Sequence, residues 1–195
     1  MNKYFITMLF LVSITLTGCS QQQQARKPIS RTSGAAFIDE SVERNRKLIA
    51  KEEAQIDSII KSNPDIEYIA SSKGYWYYYG QENTQDDITP KRGDVAFFNY
   101  TIKDLDGNII YSEEELKPQV YYVDKEKIMI GLRSGIKLMN KGEKVTFLFP
   151  SNMGYGYHGD NKKIGVNQSL ICTVTLNDIK PEAEVKDNQK TKDNN

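Results

Sequence analysis

The sequence predicts an α+β protein in which an amphipathic helix precedes a compact region built mainly of strands. Apolar residues recur at steps of four and seven between Ile38 and Ser62, which places them on one helical face. After Pro64, apolar and aromatic residues fall instead in short runs separated by glycine, aspartate and proline turn signals, a pattern typical of strands. The length of 195 residues fits one domain with appended segments.

The composition excludes several classes of function. Lys plus Arg and Asp plus Glu both number 26, so the formal charge cancels, whereas nucleic-acid binders usually show a basic face. One histidine and two cysteines leave no zinc cluster, no HExxH motif and no disulfide framework. We therefore expect no nucleic-acid partner, no metal and no cofactor. The twelve tyrosines and the apolar side chains remain as the main candidates for function.

Residues 1–18 predict a bacterial lipoprotein signal peptide. Lys3 precedes an apolar run over residues 4–16, which is short for a bilayer span of about 20 residues. The sequence Leu-Thr-Gly-Cys at residues 16–19 resembles the bacterial lipobox, which implies cleavage before Cys19 and lipidation of that residue. A plain signal peptide with an incidental cysteine is the alternative. The lipobox predicts a lipid-anchored protein of the bacterial cell envelope that faces the periplasm.

Residues 19–37 are predicted to form a flexible tether, because their glutamines, small residues and basic residues cannot bury a core. The amphipathic helix is predicted over residues 38–64 and ends at Asn63-Pro64. Its charged face, which includes Glu52, is interpreted as solvated. Two roles stay open for the apolar stripe within residues 38–62: packing on its own domain, or contact with a second copy or an envelope complex.

Residues 65–180 are predicted to hold the strands and one short helix. Asp106-Gly107 is a hairpin turn signal, and a calcium loop is disfavoured because the carboxylates at alternate positions stop after Asp104 and Asp106. Gly131–Met139 fits the helix, and the polar residues 181–195 are predicted to be a disordered tail. The predicted strands are Tyr75–Tyr79, Asp94–Lys103, Ile109–Tyr111, Val120–Val123, Lys144–Phe149 and Leu170–Ile179.

Short segments of the strand region stand in a recognisable order. They are PKRGD at 90–94, FNYT at 98–101, DGNIIYS at 106–112, IMIGL at 128–132, KGEK at 141–144, PS at 150–151, GYG at 154–156 and the strand at 170–179. Together they resemble FKBP-type peptidyl-prolyl isomerases. The resemblance implies a twisted antiparallel sheet of about five strands that wraps a short helix. With the lipobox and the preceding helix, the whole chain is similar to the gliding-motility-associated lipoprotein isomerases of the Bacteroidota.

The resemblance implies that the protein accelerates rotation about X-Pro bonds in protein substrates, and it places an apolar cup. Tyr100 forms a wall of this cup, and Leu132 is the floor under the proline ring. The Met129 backbone N–H and the Tyr155 hydroxyl each donate to a substrate carbonyl. The resemblance also implies substrate contacts at Ile110 and Ile128. Tyr111, which departs from the family pattern, and Tyr121, which lies nearby, are further candidate substrate contacts. The alternative for this set is that its members are core residues of a small β domain.

Three positions depart from the family pattern. Tyr111 stands where the family has a pocket aspartate, and Gln119 and Cys172 stand at aromatic positions. Losing the aspartate removes an acceptor that orients the tyrosines, so two alternatives to catalysis stay open. One is a binding or chaperone module, and the other is a structural subunit of an envelope motility complex. Residues 157–163, which include His158, are expected to form a flap over the pocket.

Overall fold

The computed structural model describes residues 31–85 and 87–193. The predicted signal peptide, Cys19 and most of the predicted tether lie outside these residues. The chain divides into two units, Met1–Val42 and Glu43–Asn195, and of the first only part of a helix is described. Within the described ranges, no helix is both long enough and apolar enough to cross a membrane.

Helices and strands alternate irregularly along the chain. The helices are α1 Arg31–Ser62, α2 Glu113–Leu116, α3 Ile130–Gly135 and α4 Glu182–Asp193. The strands are β1 Ile69–Ser71, β2 Tyr75–Gln81, β3 Asp94–Lys103, β4 Ile109–Tyr111, β5 Gln119–Tyr122, β6 Lys144–Phe149 and β7 Leu170–Pro181. Turns of 3₁₀ helix cover Ile136–Leu138, Ser151–Met153 and Gly156–His158.

The strands form one antiparallel sheet in the order β1-β2-β6-β7-β3-β4, with β5 also paired to β3. Strands β5 and β4 share one edge of β3, where β5 pairs along residues 95–98 and β4 along residues 102–103. The predicted α+β architecture is confirmed, and all six predicted strands are present. The sheet of the described chain has seven strands rather than about five, because β4 and β5 divide one edge and the unpredicted β1 extends the other. Strand β1 has only three residues, too few for a period-2 pattern.

Helix α3 packs closely on the sheet through two glycines. A Cβ atom on Gly131 would lie 2.6 Å from the Phe149 ring, and one on Gly135 would lie 2.7 Å from the Phe147 ring. These two phenylalanine rings stack with their centroids 5.3 Å apart. The Tyr75 hydroxyl on β2 also lies 3.1 Å from the Ser134 hydroxyl on α3. The glycines therefore set how deeply the helix sits against the core.

The second part of α1 packs on the strand domain. Ile56 is fully buried and Glu52 is 2% exposed. The interpretation of the charged face as solvated is therefore wrong at Glu52, because its carboxylate accepts two hydrogen bonds from Ser151. Ile38 and Val42, in the first unit, are by contrast exposed. Helix α1 also begins at Arg31, so the last residues of the predicted tether are helical.

Most of the predicted disordered tail is helical in the structure, which corrects that prediction. Helix α4 packs against β3 and β7, and Val185 is buried. Glu182, in its first turn, pairs with Lys125 and, one turn further on, with Lys186 at 2.7 Å. Pairs of opposite charge four residues apart stabilise a helix. The prediction from composition did not take into account the Glu182–Lys186 pair or the buried Val185.

Candidate active site

A cavity of about 470 Å³ opens between β3, the start of α3 and the loop after β6. Five residues predicted for the cup line it, namely Tyr100, Ile128, Met129, Leu132 and Tyr155. The rest of the lining is Phe98, Gln119, Lys127, Ile130 and Gly154. Phe98 was not assigned to the site from sequence, although it lies two residues before Tyr100. Strand alternation places both side chains on one face and could have identified it.

The N-terminus of α3 lies at the cavity, and its first turn supplies the apolar floor. Leu132, in the first turn, is 3% exposed and forms the apolar floor. Met129 is the residue before the helix, and no side chain caps this end. The first N–H groups of a helix have no acceptor within it. That the Met129 N–H donates to a substrate carbonyl stays a prediction from the resemblance.

Two tyrosine side chains line the same cavity, Tyr100 from β3 and Tyr155 from the loop after β6. Tyr155 is 36% exposed, and Tyr100 is partly buried. Burial raises the pKa of the Tyr100 hydroxyl above its ordinary value of 10.0, and the nearby Tyr155 raises it further. Burial and the charge of Asp160 likewise raise the pKa of Tyr155. Both hydroxyls therefore keep their protons at neutral pH and can donate hydrogen bonds.

The loop that presents Tyr155 is held on both sides by backbone hydrogen bonds. The Gly154 N–H donates to the Ser151 carbonyl at 3.0 Å, and the Asn167 N–H donates to the Gly156 carbonyl at 2.9 Å. Gly156 has a φ of +58°, in the left-handed region that favours glycine. These contacts close the loop around Tyr155 and leave its side chain at the mouth of the cavity.

Asp160, from the predicted flap, supplies a carboxylate to Tyr111. The Tyr111 hydroxyl donates to Oδ2 of Asp160, while Oδ1 accepts the N–H groups of Lys162 and Ile164, each at 2.8 Å. Burial alone raises the pKa of Asp160, but these hydrogen bonds outweigh it and hold the pKa below its ordinary value. The same hydrogen bond, with burial, raises the pKa of Tyr111 to about 12. A carboxylate acceptor is therefore present near position 111 although the family aspartate is missing there, because Asp160 supplies it from a loop that is distant in sequence.

The flap is fastened to α2 and β4 by a second contact. Lys163 Nζ lies 2.6 and 2.7 Å from the two carboxylate oxygens of Glu115, and 4.8 Å from the centre of the Tyr111 ring. Gly159, at the bend, has a φ of +63°. His158 and Tyr157 are exposed, as expected for a loop histidine and its neighbour. The flap thus rests on the Tyr111 side of the site.

Three residues predicted to contact substrate do not belong to the cavity lining given above. Tyr121 is 1% exposed, and its hydroxyl accepts the N–H of Asp124 at 2.9 Å, which makes it a core residue. Ile110 packs against the core, and Tyr111 is buried and bound to the flap. The core interpretation that the sequence left open therefore applies to Tyr121. Alternation alone does not separate a pocket-lining strand residue from a core residue.

The other two residues that depart from the family pattern, Gln119 and Cys172, lie in different environments. Gln119 lines the cavity, and its side-chain amide donates to the Leu116 carbonyl at 2.6 Å, which holds the amide against α2. Cys172 is fully buried, and burial raises the pKa of its thiol. Cys172 is therefore confirmed as a small buried hydrophobic residue.

The arrangement suits rotation about an X-Pro amide bond. That rotation has a barrier of about 18–20 kcal/mol because it breaks amide resonance. A cavity that excludes water favours the twisted, less polar amide, and fixed donors stabilise its carbonyl. No proton has to be transferred. In the described part of the chain, no group of three or more His, Cys, Asp or Glu side chains could hold a metal ion.

Comparison with known proteins agrees with this geometry. The sequence model of the FKBP-type peptidyl-prolyl cis-trans isomerase family matches residues 86–177. The chain is 29% identical over 106 residues to a probable isomerase of this type from Haemophilus influenzae, covering 54% of this chain and 44% of that protein. It is 26% identical over 156 residues to the probable isomerase FkpA of Neisseria meningitidis serogroup B, covering 80% of this chain and 52% of that protein. The chain thus spans about half the length of these two relatives.

A shorter relative and a solved structure complete the comparison. The chain is 31% identical over 99 residues to the peptidyl-prolyl cis-trans isomerase FKBP2 of Mus musculus, covering 50% of this chain and 71% of that protein. The crystal structure of FkpA from Escherichia coli shares the fold, with a TM-score of 0.56 and 22% identity over 90% of this chain and 82% of that one. From the family match and these relatives, we conclude that the chain belongs to the FKBP-type peptidyl-prolyl cis-trans isomerase family.

Proposed function

We propose that the protein is a peptidyl-prolyl cis-trans isomerase that acts on X-Pro segments of other proteins. A single observation carries the proposal. Two tyrosine side chains, Tyr100 and Tyr155, and the uncapped N-terminus of α3 meet at one apolar cavity with Leu132 as its floor. This is the combination of apolar surface and fixed donors that stabilises a twisted amide.

In this mechanism the proline ring rests on Leu132, and Tyr100 forms the wall beside it. The Met129 N–H holds one substrate carbonyl, and the Tyr155 hydroxyl holds another. Because the donors are already in place, they reorganise little as the amide twists. The bond between the proline nitrogen and the preceding carbonyl then rotates while the flanking chain stays bound.

A protease-coupled assay on a short X-Pro peptide tests this proposal. Tyr155→Phe keeps the ring and removes the hydroxyl, so we expect kcat/KM to fall by roughly tenfold, the effect of losing one hydrogen-bond donor. Tyr157→Phe is the matched control, because Tyr157 is 74% exposed and does not belong to the cavity lining. Equal rates for the two variants would reject the role of Tyr155, and a wild-type rate equal to the uncatalysed rate would reject the function.

We further propose that the protein is lipid-anchored at Cys19 in the bacterial cell envelope and assists the folding of periplasmic or envelope proteins. The lipobox-like residues 16–19 support this location. Cys19→Ser should give an unprocessed chain that does not incorporate labelled palmitate, whereas the wild-type chain should incorporate it. Equal labelling of this variant and the wild-type chain would count against the anchor.

The apolar residues of the first unit support a proposal about partners. Ile38 and Val42 are 61% and 60% exposed, which leaves the start of the stripe at residues 38–62 open to contact. We propose that this part of α1 meets a second copy of the chain or an envelope complex, including components of gliding motility. Val42→Glu should abolish such a contact while isomerisation of a short peptide is unchanged. A contact that survives this substitution would refute the proposal.

A second candidate function is binding without useful catalysis. Two observations favour it. Tyr111 stands where the family has a pocket aspartate, and Ile130, which lines the cavity, is 58% exposed. An apolar rim would hold unfolded segments whether or not the amide twists. Suppressed aggregation of a client, with no acceleration of X-Pro exchange in the same preparation, would select this function.

A further inference from the structure

We propose that Glu52 is a positioning residue for Tyr155, so that helix α1 forms part of the support of the isomerase site. The inference rests on the proposed function, because it assigns to Glu52 an effect on catalysis. It concerns only the part of α1 within the unit Glu43–Asn195.

Helix α1 contacts the loop after β6 through Glu52 and Ser151. The Ser151 N–H donates to Oε2 of Glu52 at 2.8 Å, and the Ser151 hydroxyl donates to Oε1 at 2.7 Å. Glu52 is 2% exposed and Ser151 is 3% exposed. The two residues are 99 positions apart in the chain. A charged side chain is seldom buried unless it is well hydrogen-bonded, so this contact fixes both partners.

A short turn closed by backbone hydrogen bonds lies between Ser151 and Tyr155. The Met153 N–H donates to the Pro150 carbonyl at 2.9 Å, and the Gly154 N–H donates to the Ser151 carbonyl at 3.0 Å. Met153 is itself 7% exposed. The turn from Ser151 to Gly154 is therefore closed by its own hydrogen bonds, and Tyr155 follows directly. Glu52 holds the first residue of this turn, and Tyr155 extends from its end into the cavity.

Removal of the Glu52 carboxylate is expected to displace this turn. In Glu52→Ala the buried N–H and hydroxyl of Ser151 lose the acceptor described above, and such groups are costly to leave unpaired. Shifting the turn toward water would relieve this, and it would move Tyr155 with it. Glu52→Gln differs, because its amide oxygen can accept the N–H while its NH₂ group donates to the serine oxygen. The two variants therefore separate loss of the contact from loss of the charge.

The experiment measures kcat and KM for an X-Pro peptide with the full chain and four variants. Glu52→Ala should lower kcat/KM by about tenfold, mainly through kcat, because small misplacements of catalytic groups are costly. Glu52→Gln should recover activity to within about threefold of wild type, since it keeps both hydrogen bonds. Glu53→Gln, at the exposed neighbouring position, should match wild type.

The fourth variant, Ile56→Val, separates positioning from loss of stability. Ile56 is fully buried in the same helix, and its apolar side chain has no atom that can hydrogen-bond to Ser151. Ile56→Val should lower the melting temperature and leave kcat unchanged. If Glu52→Ala does not fold, Ser151→Ala replaces it, since it removes only the hydroxyl and should lower kcat in the same direction.

NMR signals of the Gly154, Tyr155 and Gly156 amides provide a readout that does not need activity. They should shift in Glu52→Ala and stay in place in Ile56→Val. Unchanged loop signals, or a kcat equal to wild type, would overturn the inference. A wild-type chain without isomerase activity would instead overturn the proposed function, and the loop signals would still decide whether Glu52 positions Tyr155.

Discussion

The hydrogen bond between Tyr111 and Asp160 is expected to be the main contact that holds the flap on the site. Tyr111→Phe removes the donor to Oδ2 of Asp160, while Oδ1 keeps its two backbone N–H donors at 2.8 Å. Asp160→Asn removes the charge and keeps the shape. The double variant removes the interaction from both sides. The three variants and wild type form a cycle that isolates the coupling between the two side chains.

The size of this coupling follows from burial and charge. A hydrogen bond to a charged group contributes about 1.5–3 kcal/mol to stability. Tyr111 is buried but Asp160 is only partly buried, so competition from water reduces the value to about 1–2 kcal/mol. For a chain of this size, each kcal/mol lowers the melting temperature by about 2–4 °C. Tyr111→Phe should therefore melt about 2–8 °C below wild type.

Urea denaturation of the four proteins measures the coupling. We expect a coupling free energy of about 1–2 kcal/mol, together with faster proteolytic cleavage within residues 157–163 in both single variants. A coupling below about 0.5 kcal/mol would show that the flap is held by other contacts, such as the one between Lys163 and Glu115.

Three further outcomes follow from the same geometry. The folded-state pKa of Asp160 lies below its unfolded value of about 3.8, so its stabilisation is present above pH about 4 and is lost as the pH falls through the folded-state pKa. The melting temperature should therefore fall less steeply between pH 6 and pH 2 in Tyr111→Phe than in wild type. Equal slopes would contradict the assignment of this stabilisation to the hydrogen bond between Tyr111 and Asp160. Gly159→Ala should destabilise the flap by about 1–3 kcal/mol in urea denaturation, because a Cβ at φ +63° would lie 2.3 Å from a backbone carbonyl oxygen; unchanged stability would contradict the bend geometry. Gly131→Ala should cost about 1–3 kcal/mol in the same measurement, because its Cβ would lie 2.6 Å from an aromatic ring, and a neutral result would refute the close packing of α3.

Much of the strand region could be predicted from sequence because its signals are local. Strand β3 and its neighbour β4 have the bounds that their periodicity and the Asp106-Gly107 turn predict. The cavity residues Tyr100, Met129, Leu132 and Tyr155 were reached through the family resemblance. Their residue types alone would not have separated them from the core.

What the sequence missed depends on contacts between distant residues. Glu52 reads as one charge among many on a helix, and only its two hydrogen bonds to Ser151 reveal a buried role. Asp160 lies in a polar loop, 49 residues from Tyr111, whose hydroxyl donates a hydrogen bond to it. Tyr121 fits a pocket and a core equally well until its burial is known. In each case the partner is set by tertiary structure.

The most direct test of the account follows one X-Pro peptide by NMR in the presence of the full chain. Exchange between the cis and trans peptide signals should be faster than without protein, and the amide signals of Met129 and Tyr155 should shift as the peptide is added. Exchange at the uncatalysed rate, or shifts confined to residues away from this cavity, would contradict the claim that the cavity isomerises X-Pro bonds.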